Sequence, residues 1–322
     1  MNYSTKFRQI FQELQISNVN PKKKSALITG GYGFIGSHLV PQLVERGYEV
    51  IVIDKESSNS KSVFAPLETL DNCVVHECDI RDATKLQAIF KKHMPEKVVH
   101  LASLISIADS KKNPREYFDV SLNGTFNVIS SAIEIGVKKL IYSNSAAIYG
   151  NPTEVPTHES SLVQPLNPYS TFKYLGEQLA LHYGRINSLP VISVRLYHQY
   201  GEGAKALFGL FVEQIKSNKK VTISGDGTQR RDFAYVGDTA NAICELLESD
   251  CADQIFNIGS GETNSIIELA EAMGGEWEFI KRDSDEPDLM WADISKLRRM
   301  LPSAVPRSPF NETVKAVMKR LT

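Results

Sequence analysis

The stretch that decides the fold is ALITGGYGFIGSHL, residues 26 to 39. With Ser25 its opening forms a short β-rich run, and its glycines then turn the chain into an amphipathic segment over 34 to 47 that begins with Phe34 and Ile35. Gly30, Gly33 and Gly36 stand at GxxGxxG spacing, and Gly31, Gly33 and Gly36 also satisfy GxGxxG. Glycines there allow a tight turn, let backbone approach a pyrophosphate, and let a helix start close to a strand with its N-terminal amides on the phosphates. The next β-rich run, YEVIVID, ends in Asp54, 18 residues after Gly36. A carboxylate in that place accepts hydrogen bonds from a ribose 2′-hydroxyl and repels a 2′-phosphate, which points to NAD rather than NADP. Lys55 beside it tempers that preference slightly.

Working outward, the same alternation continues: EKVVHLA is followed by a helical pattern over 115 to 136, KKLIYSN by one over 168 to 185, and then comes PVISVRL. A further helical pattern covers 83 to 92. Apolar strands alternating with amphipathic helices specify a parallel sheet covered on both faces, an α/β Rossmann-type doubly wound fold. After Arg195 the pieces shorten: a helical stretch near 206 to 217, VTISGDGTQRRDFAYV, a helix at 238 to 248, the strand QIFNIG, and a mixed tail. The expected division is a cofactor domain of 25–195 plus 236–261, interleaved with a smaller lobe of 196–235 plus 262–322 over the carboxyl ends of the strands. Residues 1–24 stand ahead of the fold, with Phe7, Ile10, Phe11 and Leu14 at helical spacing. SSNSKS at 57 to 62 reads as a mobile loop.

The 36 basic and 38 acidic residues nearly cancel, so nothing global draws the chain to nucleic acid or an anionic membrane. The four cysteines have no CxxC spacing, and His38, His76 and His100 sit inside hydrophobic runs, so neither a metal site nor a disulfide framework is read. With no apolar leader region and no run approaching a membrane span, a cytoplasmic location is expected.

PYSTFK contains Tyr169 and, one helical turn later, Lys173. An ammonium on the same helix face favours the charged phenol and is expected to lower a Tyr pKa that is otherwise about 10, making Tyr169 a proton acceptor for an alcohol. Ser145 ends the KKLIYSNS strand, 24 residues earlier, where its hydroxyl can reach the same substrate oxygen. With these three in place, the chain resembles the extended short-chain dehydrogenase/reductase family, in its nucleotide-sugar epimerase and dehydratase branch, of the UDP-glucose 4-epimerase type. The resemblance runs from about Ser25 to Lys296 through TGGYGFIGSHL, VID, CDIRD, HLAS, NGT, SNSAAIYG, YSTFK, VRLYHQYG, GDGTQRRDFAYV, NIGSG and WADISK.

That resemblance implies that Tyr169 is the general base, that Lys173 holds the nicotinamide ribose and that Ser145 orients the reacting oxygen. It places Asp79 and Ile80 at the adenine end, Leu101, Ala102 and Ser103 under the cofactor, and Tyr197 and His198 beside nicotinamide and substrate. It puts Ser121 in the cofactor site, Arg231 on the substrate's diphosphate, and Arg282 with Glu286 as the pair that grips the nucleotide; Asp232 is expected to be structural. It also implies a homodimer through a four-helix bundle built from the helices at about 115 to 136 and 168 to 185.

Several departures bear on the reaction. Dehydratases of the branch need an Asp-Glu pair after the catalytic Ser, whereas this chain has Ala146 and Ala147, whose methyl groups cannot move protons. Oxidation at one carbon, which the resemblance implies is carbon 4, therefore fits better than elimination. Ser121 and His198 replace the family's usual Asn residues, GEGAKALFG replaces the usual sequence after YG, and MLPSAVP stands where LGW is common. The alternatives are a 4-epimerase, a net NAD-dependent dehydrogenase releasing a keto-sugar, and a non-catalytic NAD-binding scaffold, against which both Tyr169 and Lys173 argue.

Overall fold

Alternating apolar residues along the β-rich runs supply two cores, one on each face of a single sheet, in the computed structural model, which describes residues 24–55, 67–282 and 287–322. The strands are β1 (Ser25–Thr29), β2 (Glu49–Asp54), β3 (Cys73–Glu77), β4 (Lys97–His100), β5 (Lys139–Ser145), β6 (Val191–Leu196) and β7 (Gln254–Ile258). They pair in parallel in the order β7-β6-β5-β4-β1-β2-β3. The order reverses between β1 and β4, which opens a crevice at their carboxyl ends.

In β1, Ala26 and Ile28 face one core and Leu27 the other; in β2, Val50 and Val52 oppose Ile51 and Ile53 in the same way. The first face is covered by α1 (Phe34–Glu45), through Leu39, Val40 and Leu43. The second is covered by α2 (Ala83–His93) through Leu86, Ile89 and Phe90, α3 (Thr125–Glu134) through Val128, Ile129 and Ala132, and α4 (Pro168–Ile186) through Ala180 and Leu181. Each such side chain removed from water contributes about 1.5–3 kcal/mol, which fixes the register of strand against helix.

A third core gathers Phe208, Phe211 and Val212 of α5 (Leu207–Lys216), Ala240's helix α6 (Val236–Glu248) contributing instead to the first core, with Leu269 of α7 (Ile266–Met273) and Val314 and Val317 of α8 (Phe310–Leu321). Leu297 and Ala304 of the tail also pack into the first core, so the tail is shared between the two regions.

Two elements differ from the sequence reading. β3 was not expected: it is the sheet edge, Val74 is 46% exposed, and His76 and Glu77 interrupt its apolar character. The pattern over 115 to 136 is not one helix. Pro114–Phe118 is followed by a wide π turn, Asp119–Gly124, before α3 begins, and a short helix, Ile107–Lys112, precedes them. The expected N-terminal helix, the loop at 57 to 62 and Glu286 lie outside the described residues.

Candidate active site

Most of the expected cofactor-site residues follow from where a strand stops. β1 delivers Gly30, β2 ends on Asp54, β3 leads to Asp79 and Ile80, and β4 to Leu101, Ala102 and Ser103. β5 ends on Ser145 and β6 leads to Tyr197 and His198. Parallel pairing places all of these on one edge, the carboxyl edge where open α/β sheets bind ligands.

The glycine turn is a cradle that side chains would fill. A Cβ on Gly36 would lie 2.3 Å from the Gly30 carbonyl oxygen, and one on Gly30, whose φ is +76°, would lie 2.8 Å from the Ala102 nitrogen. Asp54 Oδ2 accepts a 3.0 Å hydrogen bond from the Tyr32 backbone amide, tying the end of β2 to the turn. Phe34 and Ile35 open α1 behind Gly33. A cleft of about 200 Å³ runs from this turn between Asp54 and Lys55 on one side and Leu101, Ala102 and Ser103 on the other, reaching Asp79 and Ile80. Close backbone, a helix N-terminus and a carboxylate at the second strand end suit an adenine dinucleotide.

The cleft also takes in Tyr32, Arg81, Leu104, Glu116 and Lys205, which the sequence reading did not single out. Arg81 grips both oxygens of Asp79, with Nη2 to Oδ2 at 2.6 Å, and this holds the Asp79 carboxyl below its ordinary pKa. Asp79 thus meets the cleft as half of an ion pair. Ser121 sits on the π turn, buried, and its hydroxyl has no hydrogen-bond partner among the described residues.

The sequence NPYSTFK starts α4 by local chemistry. Asn167 accepts from the Ser170 amide at 2.9 Å, Ser170 Oγ returns the contact, and Pro168 occupies the first helical position, where its missing N–H costs nothing. Tyr169, Lys173, Gly176, Glu177, Ala180, Leu181 and Gly184 then form one buried face. Tyr169 and Lys173 are therefore brought under the carboxyl edge together, beside Ser145.

Their electrostatics correct one expectation. Burial pushes the Tyr169 phenol above its ordinary pKa, and the opposing pull comes from the Ser145 side chain. The Lys173 ammonium donates to the Ser143 carbonyl and lies 4.9 Å from the centre of the Tyr142 ring. Burial lowers its own pKa to about 8, against the opposing pull of Glu177. An ammonium engaged with β5 does not offset the desolvation of the phenol, so the expected lowering of the Tyr169 pKa is absent from this arrangement.

Behind the trio lies a polar network that sequence reasoning missed. Glu177, fully buried, accepts from Asn144 Nδ2 at 2.7 Å, Ser193 Oγ at 2.6 Å, and Arg195 through Nε at 3.0 Å and Nη2 at 2.7 Å. Arg195 Nη1 donates to Tyr149 Oη at 2.8 Å, and Tyr149 donates to Asn257 Oδ1 at 2.8 Å. The available signal was Glu177 one turn after Lys173 and Arg195 inside the fully buried strand VISVRL. His100 is likewise buried, bridging the hydroxyls of Thr29 at 2.7 Å and Thr125 at 3.0 Å; burial drives its pKa down to about 3 and keeps it neutral.

On the other side of Ser145, Ala146 is buried in a small apolar cluster with Tyr149, Tyr197 and Met290. His198 packs edge-on against Phe233 with ring centres 5.9 Å apart. Burial, with the charge of Arg231 adding to it, lowers its pKa to about 3. Its Nδ1 has no hydrogen-bond partner among the described residues. Arg231 is buried in a short three-stranded sheet and donates to the Arg230 carbonyl at 3.0 Å. Arg282 pairs with Asp288. Asp232 accepts from Ser260 N at 2.6 Å, Ser260 Oγ at 2.8 Å, Gly261 N at 3.0 Å and Ala292 N at 3.2 Å, knotting three segments together.

Residues 26–259 match the model of the NAD dependent epimerase/dehydratase family, and the chain belongs to that family. It is 30% identical to a UDP-glucuronate 4-epimerase of Thermodesulfobacterium geofontis over 85% of this chain and 89% of the relative. Among solved structures it resembles UDP-glucose 4-epimerase of Thermotoga maritima with UDP-glucose, at 31% identity and a TM-score of 0.83, covering 92% of this chain and 97% of that one. It also resembles the Thermus thermophilus UDP-glucose 4-epimerase complex with NAD, at 28% identity and a TM-score of 0.82, covering 92% and 98%.

Proposed function

We propose that this chain is an NAD-dependent 4-epimerase of a nucleotide-diphosphate sugar, with a UDP-sugar as the substrate class. The observation that carries the reading is the meeting of Tyr169, Lys173 and Ser145 at the carboxyl end of β5, on the same sheet edge that carries the dinucleotide-sized cleft. Tyr169 takes the proton from the sugar 4-hydroxyl, Ser145 holds that oxygen in place, and Lys173 binds the nicotinamide ribose. A dinucleotide held in the cleft would supply the acceptor for the hydride of that carbon and the donor for its return to the other face of the ketone, and Tyr169 would give back the proton it took. The hydrogen bond from the Ser145 side chain is the pull that favours the phenolate against burial.

Ala146 and Ala147 support this outcome over elimination, since neither can protonate a departing hydroxyl. The lobe of 196–235 and 262–322 carries the sugar nucleotide in this reading, with Arg231, Arg282 and Glu286 serving its diphosphate and nucleoside, and His198 facing the sugar as a neutral imidazole. A homodimer through α3 and α4 belongs to the same proposal, supported by exposed Phe126, Leu175 and Ile186 on those helices. A cytoplasmic location and a role in carbohydrate biosynthesis complete it; no described helix is long and apolar enough to cross a membrane.

The test is to incubate the pure protein with UDP-, GDP-, CDP- and dTDP-sugars while following NADH absorbance and product stereochemistry by NMR. Epimer formation without standing NADH is expected. Stoichiometric NADH with a keto-sugar would instead identify a net dehydrogenase, and silence on every sugar would remove the enzymatic reading.

A further inference from the structure

The loop over 201–205, after β6, is held by contacts to three helices. Glu202 is 6% exposed although it is a charged loop residue. Its carboxylate accepts from Arg320 of α8 through Oε1, and from the Tyr235 hydroxyl through Oε2 at 3.4 Å. Its backbone carbonyl meets His38 Nε2 of α1 at 2.9 Å. Burial lowers the His38 pKa, and Arg320 adds to that against the opposing pull of Glu202, so the contact is made by a neutral imidazole donating its N–H. On the far side the Ala204 carbonyl presses on α5, where a Cβ on Gly209 would lie 1.9 Å from its oxygen. The loop is thereby clamped among α1, α5 and α8.

Lys205 ends this clamped loop and lines the cofactor cleft together with Gly30 and Gly33. The other cations of the cleft are Lys55, which follows Asp54 at the ribose end, and Arg81, which is committed to Asp79. Lys205 has no ion pair among the described residues. We infer that Lys205 is a diphosphate-binding residue for the dinucleotide, supplied by the loop of the other lobe and held there by the Glu202 contacts to Arg320 and His38. The inference rests on NAD as the cofactor and not on which sugar is turned over. The glycine turn offers backbone amides to one side of a diphosphate and Lys205 offers a point charge to the other, so the two lobes close on the cofactor through one ammonium. Because α8 anchors the loop, the far end of the chain bears on cofactor retention.

The experiment measures NADH binding by fluorescence titration to full-length wild-type protein and to the Lys205→Ala and Lys205→Arg variants, at low salt and near 1 M salt. Lys205 is exposed, so folding is unaffected, and thermal melting verifies this. Lys205→Ala is expected to weaken binding about tenfold at low salt and only two- to threefold at high salt, where ions screen the charge, and Lys205→Arg is expected to stay close to wild type. Wild-type affinity in Lys205→Ala, or an equal loss at both salt concentrations, would overturn the role. For the tether, Arg320→Met is expected to weaken NADH binding in the wild-type background and to add nothing to Lys205→Ala; an additive loss refutes it.

Discussion

Tyr169 holds its proton more tightly than a free phenol because it is desolvated, with only the Ser145 side chain pulling the other way. Replacing Tyr169 by Phe leaves that packing intact and removes only the proton acceptor. Turnover should fall by about 10²–10⁴-fold with NAD content unchanged, as read from epimerisation rate and bound cofactor; equal turnover would sink the mechanism. Lys173 makes a second prediction. Its pKa is about 8 in the folded protein against 10.5 for the ordinary side chain, so between those values the unfolded chain carries a proton that the folded chain lacks. Stability from this group is lowest below pH 8 and rises with pH through the window, by on the order of 3 kcal/mol in all. The NAD-free Lys173→Met variant should therefore be more stable than wild type near pH 7.5 in urea, with the gap closing toward pH 10. A gap that widens would contradict the burial of a charged Lys173.

Elements carry the next constraint. α4 has a glycine at 176 because a Cβ there would lie 2.4 Å from the Tyr142 hydroxyl and 2.9 Å from the Ser121 carbonyl. Ala is the better helix former by about 1 kcal/mol, so propensity and packing oppose each other at this position. Packing should win: Gly176→Ala is expected to destabilise by about 1–3 kcal/mol in chemical denaturation, whereas a gain would show that α4 can move away from the π turn. The turn itself was illegible in the sequence, since DVSLNGTF reads as continuous helix. What breaks it is tertiary. Gly124 lies against Ile80, where a Cβ would be 2.5 Å from Cδ1, and the Ser121 carbonyl faces α4. β3 was missed for a related reason, because an edge strand with one dry face lacks the apolar run that marks the central strands.

Across the whole molecule, the Glu177–Arg195–Tyr149–Asn257 network joins α4, β6 and β7 behind the reacting groups. Removing one member leaves a buried charge without its partner. Glu177→Ala should cost about 3–5 kcal/mol in unfolding free energy, and the paired Glu177→Leu, Arg195→Met exchange distinctly less; the reverse order would show that the ion pair is not what the site depends on. The proposed homodimer is open to a separate test. Phe126→Glu with Leu175→Glu places charges on the exposed apolar face of α3 and α4 and should yield a monomer by light scattering, and a surviving dimer would move the interface elsewhere.

Much of this protein follows from local pattern. The glycine turn, the strand alternation, Asp54 and the capped Asn167–Lys173 segment are all specified by residues near one another in the chain, because backbone sterics, helix capping and periodicity act over a few positions. The charge state of Tyr169, the ion pair that occupies Asp79, the break in the 115 to 136 helix and the presence of Lys205 in the cofactor cleft were decided only by the tertiary structure. Each depends on desolvation or on contact between segments tens of residues apart or more, and these are properties of packing that no stretch of sequence carries by itself.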